Sequence, residues 1–413
     1  MNRPYGMSQL SRFQWLGLAF ILILALVSRL WWVAEMSPRT LTHDEIGYNA
    51  MTEQFLDKGF LGYYADVPNA FVTPGYPLFL ATVYKSVDLA AGKKTDPLPV
   101  VRVIQTFISV ATVFLVFVLG LRTGRVGVAF LAAVFITLYP PNFSANTRIL
   151  TEVLYTFLLL AYVYSVMSLF DKRTPFIHGL TGVLLALVVL VRPAVAPLLI
   201  LPYLLDFWRH RDWRFASGVM VAGLCFSLIM LPWWVRNYVV MNQVVVFATQ
   251  SGNPFLRGTD PYDPYDKIGP SIIENVAPED QMRVGMERVK KGVQTEPGLW
   301  VEWFTVGKFT YLWGQPWGLA KGWLQGIHVA LVVILGWLGV VRALFSPRLR
   351  WLAVIPVFMT LLQMAFIPIT RYMYPLTPIM LILAAVLVMD IVERFRGNNP
   401  GGDDDWKVQY MFR

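Results

Sequence analysis

Seven stretches of this chain, residues 15 to 33, 100 to 121, 150 to 170, 215 to 235, 323 to 341, 351 to 370 and 372 to 389, are almost unbroken runs of apolar residues. Each is close to the roughly 20 helical residues that cross a hydrocarbon core of about 30 Å. Lipid offers the backbone no hydrogen-bond partners, so a run of this kind must satisfy its own N–H and C=O groups as a helix. The expected fold class is therefore an all-α polytopic membrane protein. Two further pieces need interpretation. Val126 to Tyr139 is short but can extend through Pro140 and Pro141. Phe176 to Phe207 is too long for one crossing, slightly short for two, and interrupted by Val191-Arg192-Pro193.

Charge settles the second piece. Lys172 and Arg173 precede it and Arg209, Arg211 and Arg214 follow it, so both of its ends belong on the cytoplasmic side. Two short spans then meet near Arg192 on the outer side. The basic connections Arg122/Arg125, Lys172/Arg173, Arg209/Arg211/Arg214 and Arg342/Arg348/Arg350 all fall inside, with both termini, and the count is ten spans. Arg3 and Arg12 precede the first run, which is longer than a signal-peptide core and has no small-residue cleavage site, so it reads as an uncleaved anchor. The expected organisation is a cytoplasmic start and first span (1–34), an outer loop (35–98), six spans (99–235), a second large outer loop (236–322), three spans (323–392) and a cytoplasmic tail (393–413) in which Gly401 to Asp405 has a disordered composition. The expected location is the inner, plasma membrane.

Composition closes off other classes. With 56% hydrophobic and 15% charged residues, a soluble domain of this length would lack polar surface. The net charge of +9 comes from residues scattered at the ends of apolar runs rather than from a basic stripe, which argues against nucleic acid as a partner. Cys225 is the only cysteine, so disulfides and paired-cysteine chemistry are excluded. His178, His210 and His328 lie on the inside or within a span, and no histidine metal site is expected. No phosphate-binding glycine loop, dinucleotide fingerprint, HExxH or nucleophile elbow occurs.

The polar chemistry gathers in the outer segments. From His43 to Gly59 the apolar residues Ile46, Ala50, Met51 and Phe55 lie near helical spacing, with Glu53 and Asp57 opposite, which predicts a helix lying on the membrane. Thr73-Pro-Gly-Tyr-Pro77 opens a second apolar segment to about Leu89. It reads as an interfacial helix, because a span there would reverse every later loop and move the basic connections outside.

His43, Asp44 and Glu45 stand side by side at the start of that first outer helix. Thr42-x-x-Glu45 matches a capping box, in which Thr42 caps the helix and Glu45 reaches back to the backbone. Asp44, in the first turn, suits the helix dipole and is also placed to take a proton from a hydroxyl acceptor beside a lipid-borne donor. Glu152 begins an apolar span, where an ionisable group is costly and marks function by default. Arg148, four residues earlier, is its alternative partner in a structural ion pair. Arg192 and Arg371, the latter followed by Tyr372 and Pro375, either snorkel to the interface or offer forked hydrogen bonds to a phosphate. Arg236, after Pro232-Trp-Trp-Val235, and Arg257 add cations on the same side. A transporter would use ionisable groups too, but mid-membrane on broken helices and with internal repeats; no repeat is detectable here.

The order of these residues resembles the GT-C membrane glycosyltransferases, in particular the bacterial branch related to protein O-mannosyltransferases and to the aminoarabinose transferase of lipid A. The likeness runs over about residues 10 to 395. It comprises one amino-terminal span, His43-Asp44-Glu45, Thr73-Pro-Gly-Tyr-Pro-Leu-Phe-Leu80, Tyr139-Pro-Pro, Leu150-Thr-Glu152, Leu190-Val-Arg-Pro193, Pro232-Trp-Trp-Val-Arg-Asn237 and Arg371-Tyr-Met-Tyr-Pro375. The resemblance implies a GT-C fold and transfer of a sugar from a polyprenyl phosphate to a lipid, glycan or protein hydroxyl on the extracytoplasmic face, with inversion. It implies Asp44 as base, Glu152 as a second acidic position and Arg371 near the lipid phosphate. Thr73 stands where the aminoarabinose branch has a lysine, and the large carboxy-terminal soluble domain of many relatives has no counterpart. A phosphate leaving group needs no general acid, so one base and several cations suffice. The residues permit a divalent cation but do not demand one, and no cofactor is required.

Overall fold

A computed structural model of the protein describes residues 6–38, 40–210, 215–250, 252–318 and 322–396. Arg3, Arg211, Arg214 and the tail from 397, including Gly401 to Asp405, lie outside the described residues, as do the side chains of Arg209 and His210. The described chain is helical: α1 (Arg12–Met36), α2 (Asp44–Lys58), α3 (Gly75–Ala91), α4 (Leu98–Leu121), α5 (Val126–Leu138), α6 (Pro141–Thr147), α7 (Glu152–Asp171), α8 (Pro175–Val191), α9 (Leu201–His210) and α10 (Phe215–Met241), followed by α11 (Gly252–Gly258), α12 (Gln281–Thr295), α13 (Pro297–Glu302), α14 (Lys308–Trp313), α15 (Trp323–His328), α16 (Trp337–Leu344), α17 (Arg350–Gln363), α18 (Thr370–Met373) and α19 (Thr377–Phe395). Wider π turns at 303–307 and 329–336 join α13 to α14 and α15 to α16. Among the described residues there is no strand.

Six helical stretches are long and apolar enough to cross a membrane: Arg12–Met36, Leu98–Leu121, Glu152–Asp171, Ala216–Met241, Trp323–Leu344 and Thr370–Phe395. α5 and α6 make a seventh if counted as one span bent by 54°. The other expected crossings are shorter apolar helices, Pro175–Val191, Pro193–Trp208 and Arg350–Gln363. The run expected over 351 to 370 therefore ends as a helix at Gln363, and extended Ile369 starts the next element. The chain is a multi-pass membrane protein.

Proline places the breaks. Tyr139 and Arg192 each precede a proline, whose ring disfavours helical geometry in the preceding residue, and both are extended, with φ −69° and ψ 114° for Tyr139 and φ −149° and ψ 120° for Arg192. The first break bends α5 into α6. The second ends α8 and turns the Arg192 side chain out of the helix.

The core sits around α19, since the span from Thr370 to Phe395 is 72% buried against 28% for α1. α8 lies hard against α10: a Cβ at Gly182 would fall 2.1 Å from the Ala222 carbonyl oxygen, so only glycine permits this approach. At one end of the bundle, Asp390 of α19 pairs with Arg125 at 2.6 Å and with Arg342 at 3.2 Å, Glu393 adds a contact to Arg125 at 3.1 Å, and Arg122 pairs with Asp171. Arg371 lies 19 helical residues before Asp390, which at 1.5 Å per residue is roughly 28 Å, about the thickness of the hydrocarbon core. Arg122, Arg125 and Arg342, from the connections expected inside, thus collect at one end and Arg371 lies at the other.

The segment between α10 and α15 is fastened by a lysine that sequence reasoning did not single out. Lys308, fully buried, donates to the carbonyls of Met364 at 2.8 Å and Phe366 at 3.0 Å, just past α17, and its ammonium lies 3.9 Å from the Phe304 ring centre. Those carbonyls have no helical donor of their own. Lys308→Met is expected to leave both unsatisfied, at about 1–3 kcal/mol each, and to lower the thermal unfolding midpoint in detergent by several degrees. An unchanged midpoint would contradict this anchoring role.

Candidate active site

Four charged groups from four separate parts of the chain meet at the α2 end of the bundle. Asp44 is the first residue of α2, Glu152 the first of α7, Arg192 the extended residue after α8, and Arg371 belongs to the short α18. Arg371 Nη2 donates to Asp44 Oδ2 at 2.6 Å, and its Nε lies 2.7 Å from Glu152 Oε1. Arg192 donates to the same Glu152 oxygen and, through Nε, to Thr151 Oγ1 at 2.8 Å. The Arg192 guanidinium is further held over the rings of Tyr155 and Tyr372, 5.5 and 5.6 Å from their centres. Two carboxylates and two guanidiniums balance, which is what permits charge at this burial.

The members differ in exposure. Glu152 is buried, with its side chain 1% exposed, whereas the side chain of Asp44 is 37% exposed. Glu152 Oε2 is buried without a hydrogen-bond partner, so half of this carboxylate is uncommitted.

The local fold around Asp44 is strained and braced. His43, the residue before it, has φ 47° and ψ −125°, a region that favours glycine. The Tyr64 hydroxyl donates to the His43 carbonyl, and the Tyr63 hydroxyl donates to Asp44 Oδ1 at 3.2 Å. Burial above all, with Tyr48 and the Asp44 carboxylate nearby, pushes the Tyr63 phenol well above its ordinary range, so it stays protonated and donates. Gly47 makes room for the brace: a Cβ there would lie 2.6 Å from the Tyr63 ring and 2.9 Å from that of Tyr64. The imidazole of His43 itself is exposed.

Glu45 points the other way. Its Oε1 accepts from the Ile149 N–H at 2.8 Å, and its Oε2 accepts from the Thr42 hydroxyl at 2.9 Å, the Thr42 N–H at 3.2 Å and Arg148 at 3.4 Å. Only half of the expected capping box forms. Glu45 reaches back to the Thr42 backbone, but the Thr42 hydroxyl donates to Glu45 instead of capping, and the residue at the cap position is His43.

Several expectations about partners are corrected. Arg148 pairs with Glu45, not with Glu152: it is extended and precedes α7, so the helical spacing that would have joined them is absent. Arg236 donates to the carbonyls of Asn69 at 2.9 Å and Leu61 at 3.0 Å, tying the loop between α2 and α3 to α10. Arg257 is paired with Asp266 in the loop that follows α11. Tyr63, Tyr64, Thr151 and Tyr155 were missed; the signal for the first two was a tyrosine pair 15 to 20 residues beyond the acids, which no local pattern connects to Asp44. Among the described residues, no three of His, Cys, Asp and Glu gather closely enough to hold a metal ion.

Removing Glu45 tests the division between structural and reactive acids. Glu45→Ala is expected to strand the buried Ile149 N–H, a loss of about 1–3 kcal/mol, and to lower the unfolding midpoint. An unchanged midpoint would contradict its structural role.

No family model matches the chain, and no curated protein does. Solved structures do. ArnT from Cupriavidus metallidurans bound to undecaprenyl phosphate superposes with a TM-score of 0.56 at 13% identity over 94% of this chain, and its apo state with 0.55 at 13% over 92%. The oligosaccharyltransferase of Archaeoglobus fulgidus, in complex with zinc and sulfate, gives 0.53 at 12% identity, again over 92%. The chain spans 62% and 61% of the two ArnT chains and 50% of the oligosaccharyltransferase. At this identity the likeness is one of fold. The chain has the fold of the GT-C membrane glycosyltransferases.

Proposed function

We propose that the protein is a glycosyltransferase that moves a single sugar from a polyprenyl-phosphate donor to a hydroxyl acceptor, on the extracytoplasmic side and with inversion at the anomeric carbon. The observation that carries this reading is the ion pair between Arg371 and Asp44, a phosphate-type cation held against a partly exposed carboxylate. The undecaprenyl phosphate bound by the ArnT of similar fold supports a lipid phosphate as the donor's carrier.

The chemistry follows from that pair. A donor phosphate competes with Asp44 for Arg371, and Arg192 and Tyr372 lie beside it to hold the same anion. Once Arg371 turns to phosphate, Asp44 Oδ1 keeps its bond to Tyr63 and Oδ2 is free. Oδ2 then takes the proton of the acceptor hydroxyl as that oxygen attacks the anomeric carbon. The bond from the anomeric carbon to the phosphate oxygen breaks, and its electron pair leaves with the lipid phosphate. Attack from the face opposite the leaving group inverts the carbon. Glu152 sets the position of both arginines. Glu45, Arg148, Arg236 and Arg257 act on the shape of the outer loops.

The fold match to an oligosaccharyltransferase supports a second reading, transfer of a preassembled oligosaccharide from the same class of carrier. Comparison of cell-envelope glycans by mass spectrometry, with and without the gene, separates the two: loss of one sugar residue supports the first, loss of a whole oligosaccharide the second.

The site itself is tested by variants. Asp44→Asn is expected to reduce transfer by a factor of roughly 10²–10⁴ and yet to bind undecaprenyl phosphate more tightly than the wild type, because Arg371 is no longer neutralised. Arg371→Ala is expected to weaken that binding about tenfold or more. Full transfer in Asp44→Asn, or unchanged lipid affinity in Arg371→Ala, would overturn the assignment.

A further inference from the structure

Beneath the candidate active site lies a second cation that no carboxylate balances. Arg29 of α1 is completely buried within the bundle, and among the described residues it has no acidic partner. Its Nε donates to Ser109 Oγ at 3.0 Å, Nη1 to the Ala25 carbonyl at 3.2 Å and Nη2 to the Ile136 carbonyl at 3.1 Å. The ring of Phe143 lies 5.3 Å from the guanidinium and offsets part of the charge. A guanidinium has five N–H groups, so two remain, one on each terminal nitrogen. Buried arginine is seldom left without a counter-charge, and membrane burial raises the cost.

A cavity of about 10 Å³ adjoins it, lined by Arg29, Ser109, Thr112, Asn142, Thr156 and Tyr374 among others. The hydrogens of three of these are spent: Thr112 donates to the Ile108 carbonyl, Thr156 to that of Glu152 and Tyr374 to Asn142 Oδ1. Asn142 Nδ2 uses one hydrogen on the Ile136 carbonyl. The hydrogens left unspent around the cavity are those of two guanidinium N–H groups, the Ser109 O–H and one Asn142 N–H, and the acceptors that remain, the hydroxyl oxygens of Thr112, Thr156 and Tyr374, carry no charge to balance Arg29. Positive charge together with surplus donors selects an anion. The volume, room for the centre of about one water-sized particle, admits a monatomic ion and excludes phosphate, sulfate and carboxylates.

We propose that this cavity binds one halide-sized monovalent anion, chloride in the cell, with Arg29 as its principal ligand. The site does not depend on the glycosyltransferase reading. It lies one helical turn along α7 from Glu152, whose carbonyl Thr156 holds, and Tyr374 links it to the segment that carries Arg371. A filled site gives Arg29 its counter-charge and leaves the two guanidiniums above to Asp44 and Glu152.

The test uses the purified full chain. Crystals grown in sodium bromide are expected to show an anomalous peak between Arg29, Ser109 and Asn142; density with no anomalous signal, a water only, overturns the proposal. In solution, the unfolding midpoint is expected to rise saturably with chloride or bromide relative to gluconate, which is too large to enter, at equal ionic strength. Arg29→Met should abolish that response. If that variant does not fold, Ser109→Ala should fold normally in gluconate and require several times more chloride for half of the rise. A response that does not saturate, or that is identical in the wild type and Ser109→Ala, overturns the assignment.

Discussion

The candidate site depends on the competition of two carboxylates for two guanidiniums in a place where little water screens them. Asp44, Glu152, Arg192 and Arg371 come from separate elements, and each would be costly to bury alone. Together they are neutral, and the geometry that makes them neutral brings the start of α2, the start of α7, the break after α8 and the start of the last span to one point. The rest of the bundle serves that meeting. The proline at 193 ends α8 so that Arg192 can turn aside, and the deeply buried final span carries Arg371.

The members of this cluster are not equivalent. Glu152 is enclosed and holds both arginines, so it behaves as the fixed point. Asp44 is the exposed member, attached by one oxygen to Arg371 and by the other to Tyr63. A cation shared in this way is a latch: an arriving phosphate can take Arg371 only by freeing Asp44. In the proposed reaction the donor therefore creates the base that activates the acceptor, and the carboxylate is masked while no donor is present. The strained His43 and the tyrosine brace explain how Asp44 keeps its position when that partner leaves.

Much of this was legible in the sequence, for identifiable reasons. Apolar length revealed the long spans, and the basic connections separated the two ends of the bundle. Asp44, Glu152, Arg192 and Arg371 stood out because ionisable residues next to apolar runs are expensive. Their pairing was not legible. Spacing of four residues pointed Glu152 toward Arg148, whereas its partners lie 40 and 219 residues further along the chain. Arg236 and Arg257 looked like further phosphate ligands, since a sequence cannot tell a free guanidinium from one already bound to carbonyls or to Asp266. The bracing tyrosines and the buried Lys308 were invisible for the same reason, because their roles exist only in tertiary contact.

The most direct test of the latch is a structure of the protein with undecaprenyl phosphate. The account predicts that Arg371 contacts the phosphate, that its guanidinium has moved out of hydrogen-bonding distance of Asp44 Oδ2, and that Tyr63 still holds Oδ1. Phosphate bound elsewhere, with Arg371 still against Asp44, would contradict it.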